Sequence, residues 1–459
     1  LCRSAQLESR FGRPNEHSAL DPLSPYTHLY LCVDRKAVAG EISGMYLKCL
    51  LSFAFLPLIN LGADDWPAYG GLERNHISRE KGLRVDWKDE EPKTLWSMEV
   101  GLGYSAVVEA GGKAYTQGYA NGKNTLFCVV AETGKVLWTH QYPCQKAPKY
   151  FQGGSRGTPS ISDGILYLNS HQGDFYALDA ENGKILWTKN LLKDFEGRRP
   201  DWGFSGSPLC IMDKVIFETG SEKGSLVALD AKSGELKWRA GGYEAGYSSP
   251  MLRTGNKNEI LVFNQYGLVV HHLSDGRELK RYQHKTRFGI NAAQPMDLGS
   301  SVLISSAYGK GAALVDLARP RPRALWESAY FSCQMASLVR QGNYAYGIQG
   351  QTGGREDQAR LFCLEIEKAK KRWDMKGFGL GTVILVEDTL VILSDRGELT
   401  LAKPNHFKFE ELASFQVLSG KQNWTPPTYA NGRMHCRSSQ GNWVCLQMGD
   451  QSVGRDSEP

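Results

Sequence analysis

The sequence predicts an all-β protein, an eight-bladed β-propeller of four-stranded antiparallel blades, and three observations carry that prediction. Gly is abundant, at 50 of 459 residues, while stretches with helical periodicity are hard to find. Short alternating runs are punctuated by Asp-Gly and Asn-Gly pairs, which are strong hairpin signals. One pattern, Ala-x-x-Gly-x-x-x-Trp, occurs three times, at residues 131–138, 180–187 and 231–238.

The repeat sets the architecture. Trp96, Trp138, Trp187 and Trp238 stand 42, 49 and 51 residues apart, and weaker copies bring in Trp326 and Trp373. A period of about 40–50 residues with strand-like segments between its marks belongs to propeller blades rather than helical solenoids. One copy shows the unit: residues 158–162, 165–168, 174–179 and 184–187 are strands, separated by Asp163-Gly164, Gln172-Gly173 and Asn182-Gly183. Its Trp falls on the outer strand, where packing between blades is the expected role.

Inner strands are expected to begin near Tyr104, Thr158, Ser207, Ser249, Gln294, Ala336, Thr382 and Thr425, which makes eight blades. The last copy, residues 424–446, holds three strands and no closing Gly-Lys-x-Leu-Trp. The missing outer strand stands at the other end of the domain, in residues 92–96. The amino end is therefore expected to complete the last blade, leaving no open sheet edge.

Residues 94–450 are the expected propeller, 64–93 an amino-terminal arm and 451–459 a tail. Ahead of the arm, Met45 to Lys48, the apolar run from Cys49 to Ile59 and the small Ala63 have the layout of a secretory signal peptide, residues 45–63. Cleavage near Ala63 predicts a periplasmic or secreted protein. The run is too short to span a bilayer, and no membrane span is expected in the mature chain. Cys49 precedes the run, so it is not placed as a lipid anchor. Residues 1–44 fit no export signal and are read as a disordered over-extension, with Met45 the expected start. The net charge of +5 is spread among both signs, without the basic stripe that nucleic acid or a lipid surface would need.

Several arrangements that resemble chemistry reduce to structure. The glycines at 101–103 and 377–381 precede inner strands rather than helices and lack a phosphate-binding lysine. His271 and His272 are neighbours on a strand, so they point to opposite faces and share no metal. No Cys/His set has zinc spacing, and no metal or catalytic residue is expected. Cys128, Cys363 and Cys445 recur at the position of Ala177 and Ala228, a small buried slot. Cys436 and Cys445 flank one hairpin turn, where either a disulfide or a reduced pair is compatible with the spacing. The residues just before the inner strands, Tyr104, Arg156, Phe204, Tyr247, Asn291, Gln334 and Trp424, converge on the channel mouth. They either bind a polar ligand or extended peptide there, or plug the channel.

The core Ala-Leu-Asp-Ala-x-x-Gly-x-x-x-Trp, at residues 177–187 and 228–238, resembles the pyrroloquinoline quinone (PQQ) repeat. The opening from Asp65 to Gly70 and the closing Trp424-Thr425-Pro426-Pro427 look like exported members of planctomycete type. The resemblance covers about residues 65–448 and implies the propeller fold. The family holds quinone-dependent alcohol and sugar dehydrogenases, an outer-membrane assembly lipoprotein and propellers fused to bacterial kinases. Such dehydrogenases carry adjacent cysteines beside the quinone and a calcium site, and this sequence has no Cys-Cys pair. The expectation is therefore a non-catalytic propeller that binds a protein, peptide or glycan of the cell envelope, without a cofactor. A quinone-dependent oxidoreductase with PQQ and calcium is the alternative, and an accessory sensor in kinase-linked signalling a third reading.

Overall fold

The computed structural model describes residues 64–147, 153–354 and 358–449. The expected signal peptide, the 44 residues before it and the tail lie outside the described residues. Eight antiparallel sheets follow one another along the chain: residues 108–143, 160–190, 209–240, 251–283, 296–328, 339–375 and 382–416 form blades 1 to 7. Blade 8 combines residues 428–447 with the strand Lys93–Glu99. The expected closure is present: Thr94 pairs with Leu446 and Trp96 with Cys445, so the amino end supplies the outer strand of the last blade. Inner strands begin at Val108, Ser160, Leu209, Met251, Met296, Val339, Thr382 and Thr428, up to four residues beyond the expected starts.

Burial follows strand position. The middle strands Ile165–Asn169 and Thr389–Leu393 are buried at every residue, because neighbouring blades cover both faces. Outer strands alternate, and in Ile185–Asn190 only Trp187 is buried. A bulge just before each repeat Trp, as between Ile185 and Trp187, reorients the strand so that the indole faces the next blade. The small slot lies across the ladder from this ring: Ala177 faces Trp187, Ala228 faces Trp238, Cys128 faces Trp138 and Cys363 faces Trp373.

Each repeat Trp then reaches across to the following blade. The indole Nε1 of Trp138 donates to the Ala180 carbonyl at 3.2 Å, that of Trp187 to Ala231 at 3.1 Å and that of Trp238 to Leu273 at 3.2 Å. Trp326 donates to Ile366 at 2.7 Å and Trp373 to Asn405 at 2.8 Å. The repeat Gly completes the joint. A Cβ on Gly183 would come within 2.6 Å of the Trp138 ring, and one on Gly234 within 2.7 Å of Trp187. The Gly-x-x-x-Trp spacing thus codes a contact between blades, not within one. Blade 4 carries Lys280 at the Trp position, opposite Val270, and its ammonium donates to the Leu317 carbonyl of blade 5 in the same manner.

The Cys436–Cys445 disulfide, one of the two options the spacing left open, is not formed. Register sets Cys436 opposite Val444 and Cys445 opposite His435, so the two thiols lie one residue out of step on opposite faces of the sheet. Both are free and buried. Of the adjacent histidines, His271 is buried and bonds the Gly276 carbonyl through Nδ1 at 2.7 Å, while His272 is half-buried.

The arm does more than lead into the ring. Trp66 exchanges backbone hydrogen bonds with Glu109 of blade 1, and Pro67 accepts from Ile161 of blade 2. Arg74 is buried and donates to Ser160 Oγ at 3.0 Å, to the Ser207 carbonyl at 3.1 Å, to the Pro250 carbonyl at 3.2 Å and to the Pro208 carbonyl. One guanidinium so ties the inner strands of blades 2, 3 and 4. Ile77–Ser78 adds a parallel fifth strand to blade 7, and Glu80 accepts from the Gly432 backbone N–H of blade 8. The arm plugs the channel.

Candidate functional site at the channel mouth

Above the plug the ring opens into a cavity of about 680 Å³. Its wall is built by the loops that enter the inner strands. Tyr104 and Trp424 stack at 5.5 Å between centroids and 15° between planes. Trp202 meets Tyr247 edge-on at 6.0 Å, and Phe288 meets Tyr308 edge-on at 5.1 Å. Tyr69, half-buried on the arm, supplies a further ring from the plug, and burial pushes its hydroxyl up to about 12, against a hydrogen bond from Ser337.

The polar groups are few and fixed. Gln334 is held by its own neighbours: its amide donates to Tyr308 Oη at 3.0 Å and Thr352 Oγ1 at 3.1 Å, and its carbonyl accepts from the Thr352 backbone at 2.6 Å. Tyr247 Oη accepts from the Trp202 backbone N–H at 3.4 Å. Arg156 is different. Its Nε and Nη2 are enclosed without a hydrogen-bond acceptor among the described residues. Burial holds the guanidinium below its ordinary pKa, and the phenols of Tyr104 and Tyr247 oppose that shift. Among the described residues Asp201 is the one carboxylate on the wall, and it is exposed to solvent.

Of the seven residues expected at the mouth, Tyr104, Arg156, Tyr247, Gln334 and Trp424 line the cavity. Phe204 and Asn291 do not. Phe204 turns into the core between blades 2 and 3, beside Phe175 and Phe217. Asn291 is buried as a clamp, its amide donating to the Asn264 carbonyl at 2.7 Å and the His284 carbonyl at 3.0 Å, while its Oδ1 accepts from Ser306 Oγ at 2.6 Å. In both cases a flanking residue faces the cavity instead: Ser205 beside Phe204, and Ile290 and Ala292 beside Asn291. Alternation along the extended loop was the signal available for this. Tyr308 and Tyr69 had none, because one sits past a second strand and the other arrives only through the arm.

A second polar cluster is closed to any ligand. Glu109, Arg433 and His435 meet at the junction of blades 8 and 1, where His435 Nε2 lies 2.7 Å from Glu109 Oε2 and Trp443 Nε1 donates to His435 Nδ1 at 3.2 Å. Burial alone would raise the Glu109 carboxyl, but the bonds and charges of His435 and Arg433 hold it below its ordinary value. Glu109 and His435 are fully enclosed, so the cluster fastens the closure.

A quinone site at the mouth would need a calcium ion, which takes about six to eight oxygen ligands, several of them carboxylates. Among the described residues the wall offers Asp201 alone, and no group of three or more His, Cys, Asp or Glu is placed there to hold a metal. This donor set does not fit a calcium-held quinone.

Known proteins share this fold and parts of this sequence. The family model described as outer membrane protein assembly factor BamB matches residues 144–375. The assembly factor BamB of Kangiella koreensis is 28% identical over 214 residues, 45% of this chain and 49% of that protein. The quinohemoprotein alcohol dehydrogenase of Comamonas testosteroni is 27% identical over 193 residues, 38% of this chain and 25% of that one. The chain thus spans between a quarter and a half of these curated relatives. The crystal structure of that dehydrogenase superposes with a TM-score of 0.63 at 14% identity, covering 84% of this chain and 81% of its own. BamB of Moraxella catarrhalis gives 0.57 at 14%, covering 78% and 100%. Both likenesses concern the fold. Among the described residues no helix is long and apolar enough to cross a membrane.

Proposed function

Since the chain belongs to the family of PQQ-like repeat propellers described as outer membrane protein assembly factor BamB, we propose that it is a non-catalytic propeller binding a protein, peptide or glycan in the channel-mouth cavity. The carrying observation is the cavity itself. Side chains that only plugged a channel would pack it to core density, yet about 680 Å³ stays open between aromatic rings from several blades and the arm. A concave, largely apolar site with a few fixed polar groups is the usual form of a binding pocket. The joints between blades and the plugged axis keep the wall rigid, which lowers the ordering cost of binding.

The residues from Met45 to Ala63 support export, and the motifs from Asp65 to Gly70 and Trp424 to Pro427 support an exported member of planctomycete type. Export would place the cavity in the periplasm or outside the cell. The dehydrogenase reading rests on the names of relatives, and the donor set on the wall speaks against it. Peptide and glycan arrays probed with the full chain test the proposal. Binding that disappears in Tyr247→Ala while folding is retained would support it. Turnover of an alcohol or aldose on addition of PQQ and calcium would instead establish the oxidoreductase.

A further inference from the structure

Among the described residues Arg156 is the one cation on the wall, and nothing there answers it. Among those residues no carboxylate pairs with it, and Nε and Nη2 are enclosed without an acceptor. Leaving buried donors unpaired costs stability, and a fold tolerates this where a ligand supplies the missing acceptor. The guanidinium fork matches the two oxygens of a carboxylate. The phenols of Tyr104 and Tyr247 lie near it, and the same wall carries the apolar Phe288, Ile290, Ala292, Met335 and Pro426. Tyr69 of the arm lines the cavity, and a chain end enters a pocket closed on one side with fewer residues to order than a loop has.

Resting on the binding function argued above, we propose that the cavity captures the carboxyl terminus of a peptide ending in apolar or aromatic residues, with Arg156 pairing the terminal carboxylate. The last side chains lie among Tyr247, Phe288 and Tyr308, and the chain leaves past the exposed Asp201. Tyr69 on the plug limits how many residues enter.

The test compares a hexapeptide library with free carboxyl ends against the same library amidated, both presented to the full chain. Free-acid peptides with apolar last residues bind, and amidation weakens them about tenfold or more, the loss expected when a charge-assisted hydrogen bond is removed. Arg156→Gln loses the same preference while thermal stability holds or rises, because an unpaired buried charge has been relieved, and Arg156→Lys, which keeps the charge but not the fork, weakens the preference without that gain in stability. A structural Arg156 would lower stability on substitution and leave binding alone, which overturns the proposal. Equal binding of amidated peptides, or preference for an acidic oligosaccharide, overturns the carboxyl-terminus assignment and leaves the binding function standing. Failure of every peptide and glycan probe removes both.

Discussion

Trp96 lies against Gly134 and donates from its indole Nε1 to the Ala131 carbonyl at 2.9 Å, joining the strand from the amino end to blade 1. This is the same joint that Trp138 makes with Gly183 and Ala180. The seam where the ring closes is therefore built like the other blade contacts. It gains a further lock from Glu109, His435 and Arg433, which sit at that seam alone.

Removing residues 64–99 should open the ring. The deletion takes away the plug and leaves Asn442–Gln447 as a bare strand edge, which recruits other chains. Size-exclusion chromatography should show aggregation where the full chain is monodisperse. A soluble deletion with unchanged melting temperature would mean the strand does not close the ring.

The arm should dock in a pH-dependent way through Glu80. Burial pushes its carboxyl up to about 7 against the Gly432 hydrogen bond, from an ordinary value of 4.5. Between these values the unfolded chain has released the proton and the folded chain keeps it, so stability falls as pH rises through about 7 and then levels. Glu80→Gln should flatten that slope in denaturant titrations run from pH 4 to pH 9, where pH 4 and pH 9 bracket roughly the titration range of the buried acid. An unchanged slope in the variant would assign the titration to another group.

The thiols of Cys436 and Cys445 should stay unlinked even after oxidative export, since they face opposite sides of one sheet. Non-reducing peptide mapping should find both alkylatable on denaturation. A cross-linked peptide joining them would require the hairpin register to slip by one residue.

Export itself has a direct readout. Amino-terminal sequencing of the protein from its native host should begin at or near Asp64. Residues 1–44 found intact on a cytoplasmic protein would contradict the signal-peptide assignment.

Most of the fold was legible because the Gly and Trp of the repeat act through space at a constant spacing, and because the last copy lacked a strand that residues 92–96 offered. The pairing of that strand at Thr94 and Trp96 followed from counting alone. The site was half legible. Tyr104, Arg156, Tyr247, Gln334 and Trp424 lie where the start of an inner strand puts them, at the mouth. Phe204 and Asn291 were misplaced because the side of an extended loop flips with each residue, and position before a strand does not say which side is wet. Arg74 gave no local signal. Its partners lie on blades 2, 3 and 4, and no periodicity links them to the arm. The disulfide question turned on a one-residue register that hairpin length leaves open.

If the mouth is a binding cavity and the repeat tryptophans are structure, one paired measurement separates the two. Thermal stability and ligand capture are compared for Tyr247→Ala and Trp424→Ala against Trp187→Ala and Trp238→Ala. Losing a repeat indole removes both an interblade hydrogen bond and its packing on the repeat Gly, and large-to-small changes of this kind cost about 3–5 kcal/mol. A large fall in melting temperature is expected for that pair, and near-normal stability with lost capture for the mouth pair. Equal destabilisation of both pairs, with capture retained in Tyr247→Ala and Trp424→Ala, would show that the mouth only packs the channel.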